Sequence, residues 1–350
     1  MTLKDKIRGL FLGVGIGDAF GMPFESRPYE VVKNIKKREN YRSGRWKKRG
    51  STTDDCQLTL ATANAILETP SIDMDRIAEH HVKAYNDTVS GWGSTTREAV
   101  KKISEGVHWS QSGDFNGAEN RGLGNGIPMK AAPLAAYFAL TSDYYIFNKI
   151  CVDFTAMTHQ TSIAVSSCFA HIAAIVECLG QSQTSFNTKD FLRKVIRASE
   201  MGRSYFPNTL KDDLTDRLKT LLPLYETPKL LYDDEYLVTS YGGGSCYVYN
   251  SLPFAYAFFI RGPFTIQSMV DVAYCGGDAD TNASFVGGLL GALCGEQIFP
   301  DHLKENLDKR EEIVKAADGL CEKFALGKIL SLHICPTAMA VRCAKIWICS

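Results

Sequence analysis

Ile7-Arg8-Gly9-Leu10-Phe11-Leu12-Gly13-Val14-Gly15-Ile16-Gly17 decides the fold class. Ile7, Leu10, Phe11 and Val14 recur at i, i+3, i+4 and i+7, which lays an apolar stripe along one face of an α-helix. Gly13, Gly15 and Gly17 would let the end of that helix approach another backbone closely. The same period returns downstream. Leu58, Ala61 and Ala65 predict a helix that begins after Asp54-Asp55 and ends near Thr69-Pro70. Small residues, among them Ala164, Ser167, Cys168, His171 and Ala174, predict another over 161–179. A further helix over 282–294 carries Gly287, Gly288 and Gly291 for tight packing. Runs of β-branched residues with period two are nearly absent, so an all-α chain is expected.

At 350 residues, with 45% apolar and 22% charged content, the chain has ordinary globular composition and length enough for a large core. Lys+Arg and Asp+Glu balance at 39 each, so no global field draws it to nucleic acid or to a membrane. Eleven scattered cysteines, without a CxxC pair or zinc-like spacing, favour a reducing compartment. Leu10-Phe11-Leu12-Gly13 is too short an apolar run for a signal peptide or a membrane span. A soluble cytoplasmic protein is expected. One domain should occupy 1–300. A charged helix over 303–317 and a tail containing Cys335, Cys343 and Cys349 should follow in 301–350.

Three stretches interrupt the helical pattern. Residues 30–50 form a basic loop with Lys36, Lys37, Arg38, Arg42, Arg45, Lys47, Lys48 and Arg49, interleaved by Tyr41 and Trp46. Residues 106–128 are polar and glycine-rich. Residues 240–250 hold Gly242-Gly243-Gly244-Ser245 followed by Tyr247 and Tyr249. Loops held by a rigid scaffold are where binding residues concentrate.

Two acidic clusters carry the chemistry, Thr53-Asp54-Asp55 and Asp278-Ala279-Asp280-Thr281. The first has an ordinary explanation: Thr is a good helix N-cap, and acids in a first turn complement the helix dipole. The second is harder to explain so, because two carboxylates at i and i+2 in a glycine-led turn repel unless a cation offsets them. Ligand sets of oxygen alone suit a hard cation such as Mg²⁺ rather than zinc. A DxDT string also suits an aspartyl-nucleophile phosphatase, but Tyr274-Cys275-Gly276-Gly277 is a poor strand end for that chemistry.

Six motifs in order resemble the ADP-ribosylglycohydrolase family. They are the run from Gly13 to Glu25, Thr53-Asp54-Asp55, Gly91-Trp92-Gly93 with Thr95-Thr96, Gly122-Leu123-Gly124-Asn125-Gly126 with Met129, Thr158-His159 with Ala164, and Gly276-Gly277-Asp278-Ala279-Asp280-Thr281. The resemblance implies an all-α, compact orthogonal multi-helix bundle with two Mg²⁺ ions, for which Mn²⁺ could substitute. By position, Thr53, Asp54, Asp55, Asp278, Asp280 and Thr281 would be metal ligands. Glu25 matches an acid near the metals. Gly93 would bind substrate, Gly124, Asn125, Gly126 and Met129 would cradle the diphosphate and distal ribose, His159 would approach the ligand, and Ser245 and Tyr247 would lie on the adenine side. Cys56, Lys130 and Cys246 depart from the family's usual Thr, Arg and Gly, and none of them is a proposed ligand.

The activity so implied is hydrolysis of the glycosidic bond between ADP-ribose and a modified side chain, arginine favoured, reversing mono-ADP-ribosylation. Glu25 or Asp55 would assist by proton transfer, through an oxocarbenium-like state. The partner is then an ADP-ribosylated protein or a small ADP-ribosyl substrate. Residues 26–50 would close as a lid whose cations attract the anionic substrate, unless they are only a solvated surface. Serine-linked or O-acetyl-ADP-ribose are alternative substrates, and a silent ADP-ribose binder is an alternative class. Nucleic-acid binding through the basic loop is disfavoured by the balanced charge.

Overall fold

The computed structural model describes residues 1–44, 47–118, 120–206 and 211–334. Its helices include α1 (Leu3–Gly21), α2 (Asp54–Glu68), α3 (Ser94–Ser104), α4 (Ala132–Thr141), α5 (Ser162–Gly180), α6 (Thr188–Gly202), α7 (Val248–Arg261), α8 (Ala279–Cys294) and α9 (Arg310–Ile334). Among the described residues there is no strand, and one isolated antiparallel bridge joins Gly124 to Tyr247. The chain is the all-α bundle expected.

The seam between α1 and α8 organises the molecule. Gly9, Gly13, Gly17 and Gly21 fall on every fourth position of α1, opposite Gly291, Gly287, Ala283 and Ala279 of α8. A Cβ on Gly13 would stand 2.1 Å from the Gly287 carbonyl oxygen, and one on Gly17 would stand 2.2 Å from that of Ala283. Rows of residues spaced by four are the ridges by which helices interlock. Here they are nearly bare, so the backbones touch. The pairing is antiparallel, and it sets the end of α1 beside the start of α8. Of the glycines expected to pack closely, Gly13 and Gly17 do so, whereas Gly15 faces the Ile313 and Leu307 side chains.

α5 is apolar and long enough to cross a membrane, yet 83% of its apolar window is buried inside the fold. It is a core helix. Its C-terminal carbonyls are capped by Lys6, whose Nζ donates to the Cys178 and Leu179 oxygens at 3.0 and 3.1 Å. Lys323 does the same for α2, donating to the Ile66 and Leu67 carbonyls at 3.1 and 2.7 Å. Cations there satisfy orphan carbonyls and complement the helix dipole.

The helix expected over 303–317 is broken. A short helix, Asp301–Glu305, ends before Lys309, which sits at φ 59°, and α9 begins at Arg310. Ile313, Ala316, Ala317, Leu320, Cys321 and Phe324 are all buried and belong to the same core as the helices before residue 300. Cys335, Cys343 and Cys349 lie outside the described residues, as do Arg45 and Trp46 of the basic loop. The rest of that loop is tied down. The Tyr41 hydroxyl donates to the Leu303 carbonyl at 2.9 Å, and Lys37 pairs with Asp234 and Asp271 at 3.2 and 2.7 Å.

Candidate active site

The site begins with Asp18, a fully buried carboxylate inside α1. It accepts from the Thr53 N–H at 2.9 and 2.8 Å, the Thr53 hydroxyl at 2.8 Å and the Cys56 N–H at 3.1 Å. Asp18 therefore caps the start of α2. Thr53, read from sequence as the N-cap side chain, makes no capping bond of its own and gives its hydroxyl proton to Asp18. Asp18 lies within the Gly13–Glu25 motif, whose sequence alone gives it no role. A lone acid between Gly17 and Ala19 in an otherwise apolar helix was the available signal.

With α2 fixed this way, Asp54 and Asp55 are buried in its first turn, and the α1–α8 seam brings Asp280 and Thr281 to face them. The Thr281 hydroxyl donates to Asp55 Oδ2 at 3.0 Å, and Thr53 Oγ lies 3.5 Å from Asp280 Oδ2. Gly277, at φ 68°, makes the turn before α8. Its carbonyl accepts from the Ser26 N–H at 2.7 Å, and its N–H donates to the Arg27 carbonyl at 2.9 Å. A Cβ there would stand 2.1 Å from the Gly243 oxygen, so only glycine fits. This clamp places Glu25 against the second acidic cluster: carboxylate oxygens of Glu25, Asp278 and Asp280 lie within 4.8 Å of one another. The two clusters converge.

They form one wall of a cavity of about 480 Å³. Glu25, Asp54, Asp278, Asp280 and Thr281 line it, as do Gly93, Gly124, Asn125, Gly126, Met129, His159 and Ser245. Asp55 and Thr53 lie behind the wall. Tyr247 does not line the cavity; its hydroxyl donates to Asp212 at 3.0 Å and its ring stacks on Tyr249. Ser26, Thr95, Thr96, Asn120 and Cys246 also line the cavity and had not been assigned to it.

Asn125 lines the cavity and also holds the second acidic cluster. Its amide donates to Asp278 and, at 3.0 Å, to Ser251 Oγ, while its N–H is taken by the Cys246 carbonyl at 2.9 Å. It orients Asp278. The N–H groups of Gly124 and Gly126, by contrast, have no hydrogen-bond partner among the described residues. Gly126 is packed so closely that a Cβ would stand 2.8 Å from His159 Cε1. Lys130, fully buried, donates to Thr158 Oγ at 3.1 Å, and Thr158 Oγ lies 2.9 Å from His159 Nδ1. Burial, and then the Lys130 charge, hold His159 neutral, with a pKa down to about 3. Burial also brings Lys130 down to about 7.

Burial pushes every carboxylate of the cluster upward, Asp18 and Asp278 to about 6 and Asp54 to about 7. Glu25, Asp55 and Asp280 rise for the same reason, and neighbouring acids add to the rise of Asp55 and Asp280. Lys47 works the other way on Asp18 and Glu25. Asp55 Oδ1 is buried without a hydrogen-bond partner. An orphaned carboxylate oxygen beside mutually repelling acids is what a metal ion resolves. The residues fit one, and the Glu25–Asp278–Asp280 triad could hold it.

A family model described as ADP-ribosylglycohydrolase matches residues 1–328, and the chain belongs to that family. Mouse (Mus musculus) ADP-ribosylhydrolase ARH3 is 23% identical to it over 353 residues, covering 91% of this chain and 92% of that protein. ADP-ribosylarginine hydrolase Tri1 of Serratia proteamaculans is 23% identical over 328 residues, covering 90% and 79%. A solved structure described as an ADP-ribosylglycohydrolase-related protein complex shares the fold, with a TM-score of 0.70 at 22% identity over 92% of this chain and 99% of that one. The chain is thus an enzyme of the glycosidic-bond hydrolase class, acting on ADP-ribosyl groups.

Proposed function

We propose that the cavity hydrolyses the bond between ADP-ribose and a modified protein side chain, arginine favoured, and so reverses mono-ADP-ribosylation with Mg²⁺. One observation carries this reading: oxygen-only acids and free glycine N–H groups face each other across a single cavity. Backbone N–H groups exposed by glycine suit a diphosphate. Asp54, Asp55, Asp278, Asp280, Thr53 and Thr281 would hold the cation, two ions by resemblance, with Mn²⁺ as a substitute. Thr53 and Thr281 give their protons to Asp18 and Asp55, which leaves hydroxyl lone pairs for a ligand role. A bound hard cation supplies positive charge that holds ribose hydroxyls and makes water more acidic.

Glu25 lines the cavity while Asp55 lies behind it, so we assign proton transfer to Glu25 and cation binding to Asp55. Burial raises the Glu25 carboxyl toward the range where it can both hold and release a proton. Asp278, oriented by Asn125, keeps the wall in register. The arginine preference is supported by the likeness to Tri1, whose name carries that linkage. Scattered cysteines, odd in number, support a reducing, cytoplasmic setting.

The test is a panel of defined ADP-ribosyl-arginine, ADP-ribosyl-serine and O-acetyl-ADP-ribose substrates, with and without EDTA. Release of ADP-ribose that is fastest from arginine and abolished by EDTA is expected. Tight binding without release would assign a silent binder, and EDTA-resistant release would remove the metal.

A further inference from the structure

A second cavity, of about 520 Å³, shares no lining residue with the acidic one. Arg38, Arg42 and Arg49 line it with His302, Asn40 and Asn306, over the buried ring of Tyr41, and no carboxylate is among the lining residues. Arg38 and Arg49 form no ion pair or side-chain hydrogen bond among the described residues. Elsewhere in this fold, cations that converge are neutralised: Lys37 and Arg261 share Asp234 and Asp271. Three guanidinium groups around one cavity repel each other unless an anion stands between them.

The walls are built rather than loose. Tyr41 donates to the Leu303 carbonyl at 2.9 Å, His302 Nε2 to the Glu39 carbonyl at 2.6 Å, and the Asp308 N–H to the Gly50 carbonyl at 2.9 Å. Arg42 is held by the Tyr274 hydroxyl at 3.2 Å and the Lys36 carbonyl at 2.9 Å, which leaves Nη1 free to donate. We propose that this cavity is a second binding site of the protein, for a small phosphate-bearing anion of the diphosphate type. The planar fork of a guanidinium matches phosphate oxygens two at a time, and the asparagines add neutral donors. Three guanidinium groups gathered around one concavity suit a compact anion, whereas a polymer needs an extended track.

The test is calorimetric titration of inorganic pyrophosphate in metal-free buffer, where the acidic cavity repels anions. Wild type, the double variant Arg38→Gln/Arg49→Gln and the control Lys48→Gln are compared, with melting curves confirming that all three fold. Both arginines are exposed, so the double variant is expected to fold as wild type does. The double variant should bind about tenfold or more weakly, as charge-assisted contacts are lost, and Lys48→Gln should bind like wild type. Equal affinity in the double variant would place the anion elsewhere and overturn the proposal. An equal loss in Lys48→Gln would reduce it to diffuse surface charge. A single-stranded oligonucleotide binding more tightly than pyrophosphate would make the surface a polymer track and overturn it as well.

Discussion

Asp55 has a buried carboxylate oxygen with no partner, and the acids around it are held above their ordinary range by burial. That has a consequence for stability. Asp54 and Asp278, raised from 3.8 to about 7 and about 6, bind protons more tightly folded than unfolded. Their contribution is therefore complete below about pH 4 and is lost as pH rises through 6 to 7. A divalent cation favours the ionised form and cancels the loss. In EDTA, Asp278→Asn should gain on wild type between pH 5 and pH 8 by on the order of 1–3 kcal/mol in urea unfolding. In saturating Mg²⁺ that gain should vanish or reverse; persistence of the gain with Mg²⁺ present would argue against cation binding at the cluster. The same variant should lose at least about 100-fold in kcat/KM on ADP-ribosyl substrate, about 2.7 kcal/mol of transition-state stabilisation. Activity within a few-fold of wild type would remove Asp278 from the metal-binding set.

At the scale of elements, the α1–α8 seam turns a sequence pattern into a site. Gly13, Gly15 and Gly17 were legible as a surface for close approach, and so was the helical period of both partners. What the chain does not display is which row meets which, and Gly15 was therefore grouped with Gly13 and Gly17 although it faces side chains. The same limit hid Asp18. Local rules name Thr53 as the cap of α2, but a carboxylate 35 residues earlier takes that place, and only tertiary contact reveals it. The seam predicts a contrast between neighbours. Gly17→Ala drives a methyl to 2.2 Å from the Ala283 carbonyl oxygen, where backbone must move. It should cost about 2–3 kcal/mol or more as overpacking, and lower activity by parting Glu25 from Asp280. Gly15→Ala meets the mobile tip of Ile313 at 2.8 Å and should cost under about 1 kcal/mol. Chemical denaturation of the two variants, with activity at a fixed temperature, separates them; equal effects would deny the seam its role.

Across the whole molecule, the site depends on helices that lie outside it. α9 binds to α1 through the Arg8–Asp318 pair and to α2 through Lys323, which caps the end opposite the acidic turn. Its buried residues, Ile313, Ala316, Ala317, Leu320 and Phe324, follow the same i, i+3, i+4, i+7 rule as α1. That stripe is legible, but the charged residues between its members make the stretch read as a charged helix over 303–317. The acidic motifs were easier to read because chemistry narrows what such residues can do, whereas an apolar stripe only says that something covers it. A chain ending at residue 309 tests which view of α9 holds. Burial of a large apolar side chain contributes about 1.5–3 kcal/mol, so losing Ile313, Leu320 and Phe324 alone removes much of a typical net stability of about 5–15 kcal/mol. The truncated chain should lose its near-ultraviolet dichroism and its cooperative unfolding, and should release no ADP-ribose. Lys323→Met, which leaves only the carbonyls of α2 uncapped, should fold, with a penalty of about 1–3 kcal/mol. A truncated chain that unfolds cooperatively and remains active would make α9 an appendage, and the boundary at residue 300 a real one.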